Sequence, residues 1–256
     1  MASAGPFESL DSAAERRVGA EPPLQTSGGR TAAVLEVLIC SDYPTQIALA
    51  WIFAALGYGP LVGQSLTVRY VAVLSLTDTL LLLSLIAMFL SARGERARDV
   101  FLGTRSPWRE ALTGLPLTFV ALILGILVLA AIQRLAPWLH TVEHNPLQDL
   151  IRTPRAAAVF AVVVVVAGGI REEIQRAFLL RRFEQWLGGA GVGVLVTSAA
   201  FGAGHLVQGA DAAIATGVLG AFWAIIYVRR RSVAAPIVSH AGFNLLQLAQ
   251  FLVVGR

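Results

Sequence analysis

The sequence predicts an all-α membrane protein, a polytopic helix bundle of about seven spans. Three observations support this fold class. Of the 256 residues, 56% are hydrophobic and only 14% are charged, whereas soluble domains are usually about 25% charged. The mean hydropathy is +0.69. Apolar stretches recur between short polar segments, and most approach the roughly 20 residues that a helix needs to cross a bilayer.

The apolar stretches give the order of the elements. Residues 1–30 are polar and contain Pro, Gly and Ser, as in a disordered tail, and the membrane domain then extends over 31–256. The first span is the least distinct, because Glu36 and Asp42 precede it and residues 34–40 can begin a short helix of their own. The expected spans, six to eight in all, are 44–63, 70–92, 113–133, 156–180, 190–208, 211–228 and 233–254.

Arginine sets the expected orientation. Thirteen arginines fall in the tail and in loops on the N-terminal side of the membrane, and five fall on the other side, so the positive-inside rule places the tail in the cytoplasm. Lys is absent while Ala, Gly and Val are abundant, which indicates a GC-rich bacterial genome and hence a bacterial inner membrane. The arginines flank apolar spans without forming a long basic run, so the expected partner is the lipid bilayer and not nucleic acid.

The fourth span carries charges at membrane depth. Its first 15 residues, 156–170, are uncharged and cover about 22 Å, less than the hydrocarbon core of about 30 Å. Each charge that follows costs about 2.5–3.5 kcal/mol, unless it pairs or faces a wet cavity. Arg176 can pair with Glu173 or with Glu172, three and four residues before it. Two adjacent acids argue against a plain helix end with charges reaching the headgroups.

Two histidines and an amide lie on other spans. His205 follows Phe201 by four residues in the fifth span, and His240 precedes Asn244 by four in the seventh. Residues four apart share one face of a helix. A carboxylate, two imidazoles and an amide can supply a base, a group that shares protons and a donor to an oxyanion. The sequence therefore indicates hydrolysis, with a catalytic core at 156–254.

Three motifs occur in order on these spans: REEIQR (171–176), FGAGH (201–205) and HAGFN (240–244). Together they resemble the motifs of the CPBP family, which comprises the type II CAAX prenyl proteases and bacteriocin-processing or immunity-related membrane proteins. The resemblance covers about 156–254. It departs in one place: the usual E-E-x-x-x-R is shortened here to E-E-x-x-R, and Ala177 occupies the usual Arg position.

The resemblance implies an intramembrane glutamate endopeptidase that cleaves a membrane-associated protein or peptide. Glu172 would activate a water with help from His205, while His240 and Asn244 would support the water and the oxyanion. The supporting residues would be Glu173, Arg176 and Phe201. No cofactor is expected, and a site that opens to the cytoplasm would suit peptides ending near the bilayer.

Two other functions stay open. One is a non-catalytic membrane protein of the same fold, for binding or immunity. The other is a zinc metallopeptidase, in which Glu172, His205 and His240 would be the ligands. A transporter is less favoured, because matched broken helices in two halves are not evident.

The segment HTVEH (140–144) matches the H-x-x-E-H pattern of inverted zinc peptidases. That pattern needs a helix to bring its two histidines onto one metal ion. Pro137 and Pro146 leave only eight residues between them. We therefore expect a polar outer loop that takes no part in the chemistry.

Overall fold

The computed structural model describes residues 27–62, 65–143, 145–151 and 153–254. These ranges are predominantly helical, with one antiparallel ribbon of β1 (Leu61–Val62) and β2 (Ser65–Leu66). Short 3-10 turns lie at Pro137–Leu139, Gln148–Leu150 and Leu206–Gln208. The helices are α1 (Ser27–Ile39), α2 (Tyr43–Ala55), α3 (Val68–Ala92), α4 (Ala97–Phe101), α5 (Pro107–Leu135), α6 (Pro154–Val165), α7 (Glu172–Trp186), α8 (Gly189–Ala203), α9 (Ala210–Arg230) and α10 (Ala234–Val254).

Four of the described helices, α3, α5, α9 and α10, are long and apolar enough to cross a membrane. Helices α1 and α2 add a fifth candidate if they form one span bent by 47°. Helix α8 is apolar but has only 15 residues, and α7 carries the charges of the fourth expected span. The helical multi-pass class is therefore confirmed, whereas the expected number of seven spans is not.

The N-terminal predictions need correction. Helix α1 begins at Ser27, so residues 27–30 of the expected disordered tail are helical, and the rest of that tail lies outside the described residues. The short helix anticipated near 34–40 is part of α1. The first expected span, 44–63, is too long, because α2 ends at Ala55 and Gly57 then turns the chain with a φ of 74°.

Contacts between connections define the two ends of the bundle. At one end the Val233 N–H donates to the Phe101 carbonyl at 2.8 Å. We call this the arginine end, since the connections 93–106 and 231–233 meet there. At the opposite end the Ala210 N–H donates to Thr141 Oγ1 at 3.0 Å. We call this the loop end, which comprises the described residues 136–143, 145–151, 153 and 204–209.

A π-helical turn, Val166–Arg171, joins α6 to α7. Such a turn inserts one residue into the helix and often marks a functional site. It packs closely against α10, because a Cβ added at Gly169 would lie 2.8 Å from the Cβ of Ala241. The π turn therefore brings the charged start of α7 against the helix that carries His240.

Helix α7 is enclosed by the bundle, while α5 is not. Nine of the 15 residues of α7 are buried, including Phe178, Leu180 and Arg182. Helix α5 exposes Phe119, Ile123 and Leu127, as expected for an apolar surface that faces lipid. The charged side chains of Glu173, Arg176 and Arg182 are thus held inside the protein and not against the hydrocarbon.

Candidate active site

A cavity of about 1080 Å³ lies inside the bundle. Its wall includes the four side chains that the sequence predicts to be catalytic, although they come from α7, from the connection after α8 and from α10. These side chains are Glu172, His205, His240 and Asn244. The structure therefore brings together residues that lie on separate segments.

The two adjacent glutamates have different surroundings. Glu173 is 1% exposed, and its Oε1 accepts hydrogen bonds from Arg176 Nη1 and, at 2.8 Å, from His240 Nδ1. Glu172 lines the cavity, and its Oε2 lies 3.8 Å from His240 Nε2. Of the two pairings of Arg176 that the sequence left open, the structure contains the one with Glu173.

His240 is held on both sides of its ring. A carboxylate only accepts hydrogen bonds, so the bond to Glu173 places a hydrogen on His240 Nδ1. The indole of Trp223 stacks on the imidazole, with ring centroids 3.7 Å apart and planes inclined by 16°. Trp223 Nε1 in turn donates to Ser239 Oγ at 3.1 Å. The sequence did not predict Trp223, because one Trp on an apolar helix has no signal that separates it from a lipid-facing one.

His205 lies just beyond α8 and not on it. The helix ends at Ala203, so the fifth expected span, 190–208, is too long. His205 Nδ1 hydrogen-bonds to the Phe201 carbonyl at 2.8 Å. A carbonyl only accepts, so Nδ1 is the donor and the other ring nitrogen, Nε2, stays available as an acceptor.

Phe201 packs between the two imidazoles. Its ring centroid is 4.9 Å from that of His205 and 6.0 Å from that of His240. The Arg176 guanidinium lies 4.7 Å above the same ring. Phe201 therefore separates the two histidines while it contacts the cation that balances Glu173.

Asn244 is held against the end of α6 and the π turn. Its Nδ2 donates to the carbonyl of Val164, in the last turn of α6, at 3.2 Å. A Cβ added at Gly168 would lie 2.8 Å from this nitrogen, so glycine at this position lets the amide approach closely. An amide nitrogen carries two hydrogens, and the second remains available to the cavity.

The zinc alternatives are not supported. Within the part of the chain that the structure describes, no group of three or more His, Cys, Asp or Glu residues could hold a metal ion. The HTVEH segment is not helical over residues 140–143, and its last residue lies outside the described ranges. His140 Nδ1 instead bonds to Asp211 Oδ2 at 2.7 Å, which ties this loop to α9.

The cavity extends from the four predicted catalytic side chains to the loop end. Its wall there carries amide side chains: Asn145, Gln148, Gln208, Gln247 and Gln250. The sequence predicts two things about this opening: the arginine distribution places the loop end outside the cell, and the site is expected to open to the cytoplasm. Because the cavity reaches the loop end, these two predictions cannot both hold for a substrate that enters there.

Residues 154–246 match the family model described as "Type II CAAX prenyl endopeptidase Rce1-like". The matched segment runs from α6 into α10 and contains all four predicted catalytic residues. This match confirms the resemblance to the CPBP family. No curated protein and no solved structure matches the chain.

Proposed function

We propose that this chain, which belongs to the CPBP family through its Rce1-like segment 154–246, hydrolyses a peptide bond in a membrane-associated protein or peptide. One observation carries the proposal. A carboxylate, two imidazoles and an amide line one cavity, and Glu172 Oε2 lies there at 3.8 Å from His240 Nε2, a separation that a water can bridge. Those groups are the ones that hydrolysis by an activated water requires.

Glu172 is the general base in this mechanism. Its Oε2 and the Nε2 of His240 are 3.8 Å apart, and both accept hydrogen bonds when His240 is neutral. A water between them can donate one hydrogen to each. As the water oxygen attacks the peptide carbonyl carbon, Glu172 takes a proton and the carbonyl electrons move onto oxygen. Glu172 then gives this proton to the leaving nitrogen as the C–N bond breaks.

The remaining groups stabilise and orient. The free Asn244 hydrogen can donate to the oxyanion, the type of contact whose removal costs about 10²–10³ in rate in other hydrolases. The free nitrogen of His205 can accept a hydrogen from the water or the substrate. Glu173 fixes the ring of His240, in the way that a buried carboxylate orients the histidine of a catalytic triad.

Membrane proteomics tests this function. Membranes containing the wild-type protein should yield peptide termini that are missing when Glu172→Gln replaces it at equal abundance. Glu184→Gln is the matched control, because Glu184 lies on the same helix but pairs with Arg231 at 2.6 Å, outside the cavity wall. If wild type and Glu172→Gln give identical termini, the enzyme proposal fails and a non-catalytic binding or immunity protein becomes the better account.

We place the protein in the cell membrane with its arginine end in the cytoplasm. Single cysteines at two exposed positions, Arg98→Cys at the arginine end and Trp138→Cys at the loop end, test this orientation. The native Cys40 is fully buried and does not interfere. On intact cells, an impermeant thiol reagent should label only position 138. Labelling of position 98 alone would reverse the orientation and open the amide-lined end to the cytoplasm.

A further inference from the structure

Asp42 joins α1 to α2 in an unusual backbone conformation. Its φ is 81°, in the left-handed region that residues other than Gly adopt rarely and that Asp and Asn tolerate best. Such residues are retained where the surrounding structure holds them, often at functional sites. The Asp42 side chain lines the catalytic cavity. Its Oδ2 accepts from Gln46 Nε2 at 2.7 Å, so the carboxylate is held in place.

The other oxygen of Asp42 binds the residue directly before Glu172. Arg171 Nη1 lies 2.5 Å from Asp42 Oδ1 and 3.6 Å from Asp78 Oδ2. Arg171 Nη2 lies 3.4 Å from Glu172 Oε1. Arg171 is 4% exposed, so water screens these contacts less than it would at the protein surface. One guanidinium is thus shared among carboxylates from α7, from α3 and from the α1–α2 connection.

We propose that Asp42 is a positioning residue for the reaction, which holds the Arg171 guanidinium so that it approaches one oxygen of Glu172 and leaves the other free for water. This inference rests on the proposed function. Without the Asp42 charge, Glu172 would compete for this guanidinium only with Asp78, which lies 3.6 Å from it. A guanidinium prefers to bind both oxygens of a carboxylate, and that geometry would withdraw Glu172 from the water. Asp42 lies outside the matched segment 154–246, so the N-terminal helices complete the site.

Asp42→Asn is the informative variant. It keeps the size of the side chain, it tolerates the left-handed backbone, and it removes the charge that holds Arg171. The probe is a quenched fluorescent peptide that ends in a prenylated Cys-aliphatic-aliphatic-X sequence, added to the full-length protein in lipid nanodiscs. We expect kcat to fall by about 10²-fold, the scale of a misplaced catalytic group, while KM changes by no more than about twofold.

Glu36→Gln is the matched control. Glu36 is a buried acid of α1, bound to Arg93 at 2.6 Å, and it is not part of the cavity wall. Its loss should lower the unfolding temperature and leave kcat near that of wild type. Equal losses of kcat in both variants would mean that Asp42 acts only through stability.

A second background separates positioning from general support. If Asp42 acts by restraining Arg171, then Asp42→Asn should reduce kcat in the wild-type protein but cause no further loss in Arg171→Gln. Independent, additive losses would overturn the inference. The unfolding temperatures should also be non-additive: the double variant should unfold at no lower a temperature than the less stable of the two single variants. This measurement needs no substrate.

The two proposals fail differently. An inactive Glu172→Gln together with a fully active, folded Asp42→Asn overturns the positioning role alone. A fully active Glu172→Gln, or a wild-type protein that cleaves neither the probe nor any membrane protein, overturns the proposed function. In that case the unfolding temperatures still test the contact between Asp42 and Arg171. If the decreases caused by Asp42→Asn and Arg171→Gln add up in the double variant, the two residues are not coupled.

Discussion

The two halves of α7 carry the same kinds of charge in different surroundings. In the half at the arginine end, Arg182 is fully buried and binds Glu36 and, at 2.5 Å, Glu95. In the half at the cavity, Glu173 is bound just as closely by Arg176 and His240. Glu172, however, has no partner within 3 Å, since its two ion contacts are at 3.4 Å and 3.8 Å.

This difference separates charged residues that stabilise the fold, such as Arg182, from Glu172, which we propose takes part in the reaction. A buried charge that is fully paired keeps the helices in register, because removing either partner leaves the other without compensation. A carboxylate that faces a cavity without a close partner is available to a water and a substrate. The same helix therefore supplies support at one end and the proposed base at the other.

The largest expected effect comes from removing the acid that lines the cavity, Glu172. Glu172→Gln is nearly isosteric but cannot accept a proton, so we expect cleavage to fall by at least the factor of about 10²–10⁴ for a general base. Glu184→Gln, in the paired half, should retain activity. Cleavage rates of the two variants, measured at equal amounts of folded protein, check this prediction. Equal rates would show that the two halves of α7 do not differ in their contribution to the reaction.

Glu173→Gln should impair both stability and activity. The amide cannot balance Arg176, and breaking a buried ion pair costs about 3–5 kcal/mol. The ring of His240 also loses the acceptor that orients it, so we expect the folded fraction to be about 10²-fold slower. Thermal unfolding and rate per folded molecule separate the two effects. A stable, fully active variant would show that His240 needs no such support.

Arg182→Met should affect stability alone. It removes the fully buried partner of Glu36 and Glu95 and leaves them the more exposed Arg93 and Arg181, so the expected cost in the free energy of unfolding is below the roughly 3–5 kcal/mol of an uncompensated buried charge. The rate per folded molecule should stay near that of wild type, because Arg182 is not part of the cavity wall. If kcat fell strongly under conditions in which the variant is fully folded, the arginine end would also influence the reaction at the cavity.

Gly168→Ala should have a smaller and purely local effect. The added Cβ would lie 2.8 Å from Asn244 Nδ2, so the amide must shift, and we expect activity to fall by about tenfold, less than the 10²–10³ for complete loss of an oxyanion donor. Gly191→Ala is the control, because a Cβ there has nothing within 4 Å. Equal activities of the two variants would exclude Asn244 as an oxyanion donor.

The sequence by itself indicated the membrane class, the resemblance to the CPBP family and the candidate catalytic residues. Hydropathy is a local property, and the motifs around Glu172, His205 and His240 are short, so both can be read without a fold. Composition also identified the charges of α7 as out of place in an apolar span. It did not set the number of spans, because α8 is short and the break at Asp42 bends the first candidate.

Only the tertiary structure decided what each charged residue faces. The π turn at Val166–Arg171 inserts a residue, which rotates the start of α7 away from the direction that a regular helical period predicts. Within α7 either glutamate lies within reach of Arg176, and in the packed structure Arg176 binds Glu173 while Glu172 lines the cavity. The contacts of Asp42 with Arg171 and of Trp223 with His240 join segments far apart in sequence. No local pattern encodes such pairs, since their distances are set by how the helices pack.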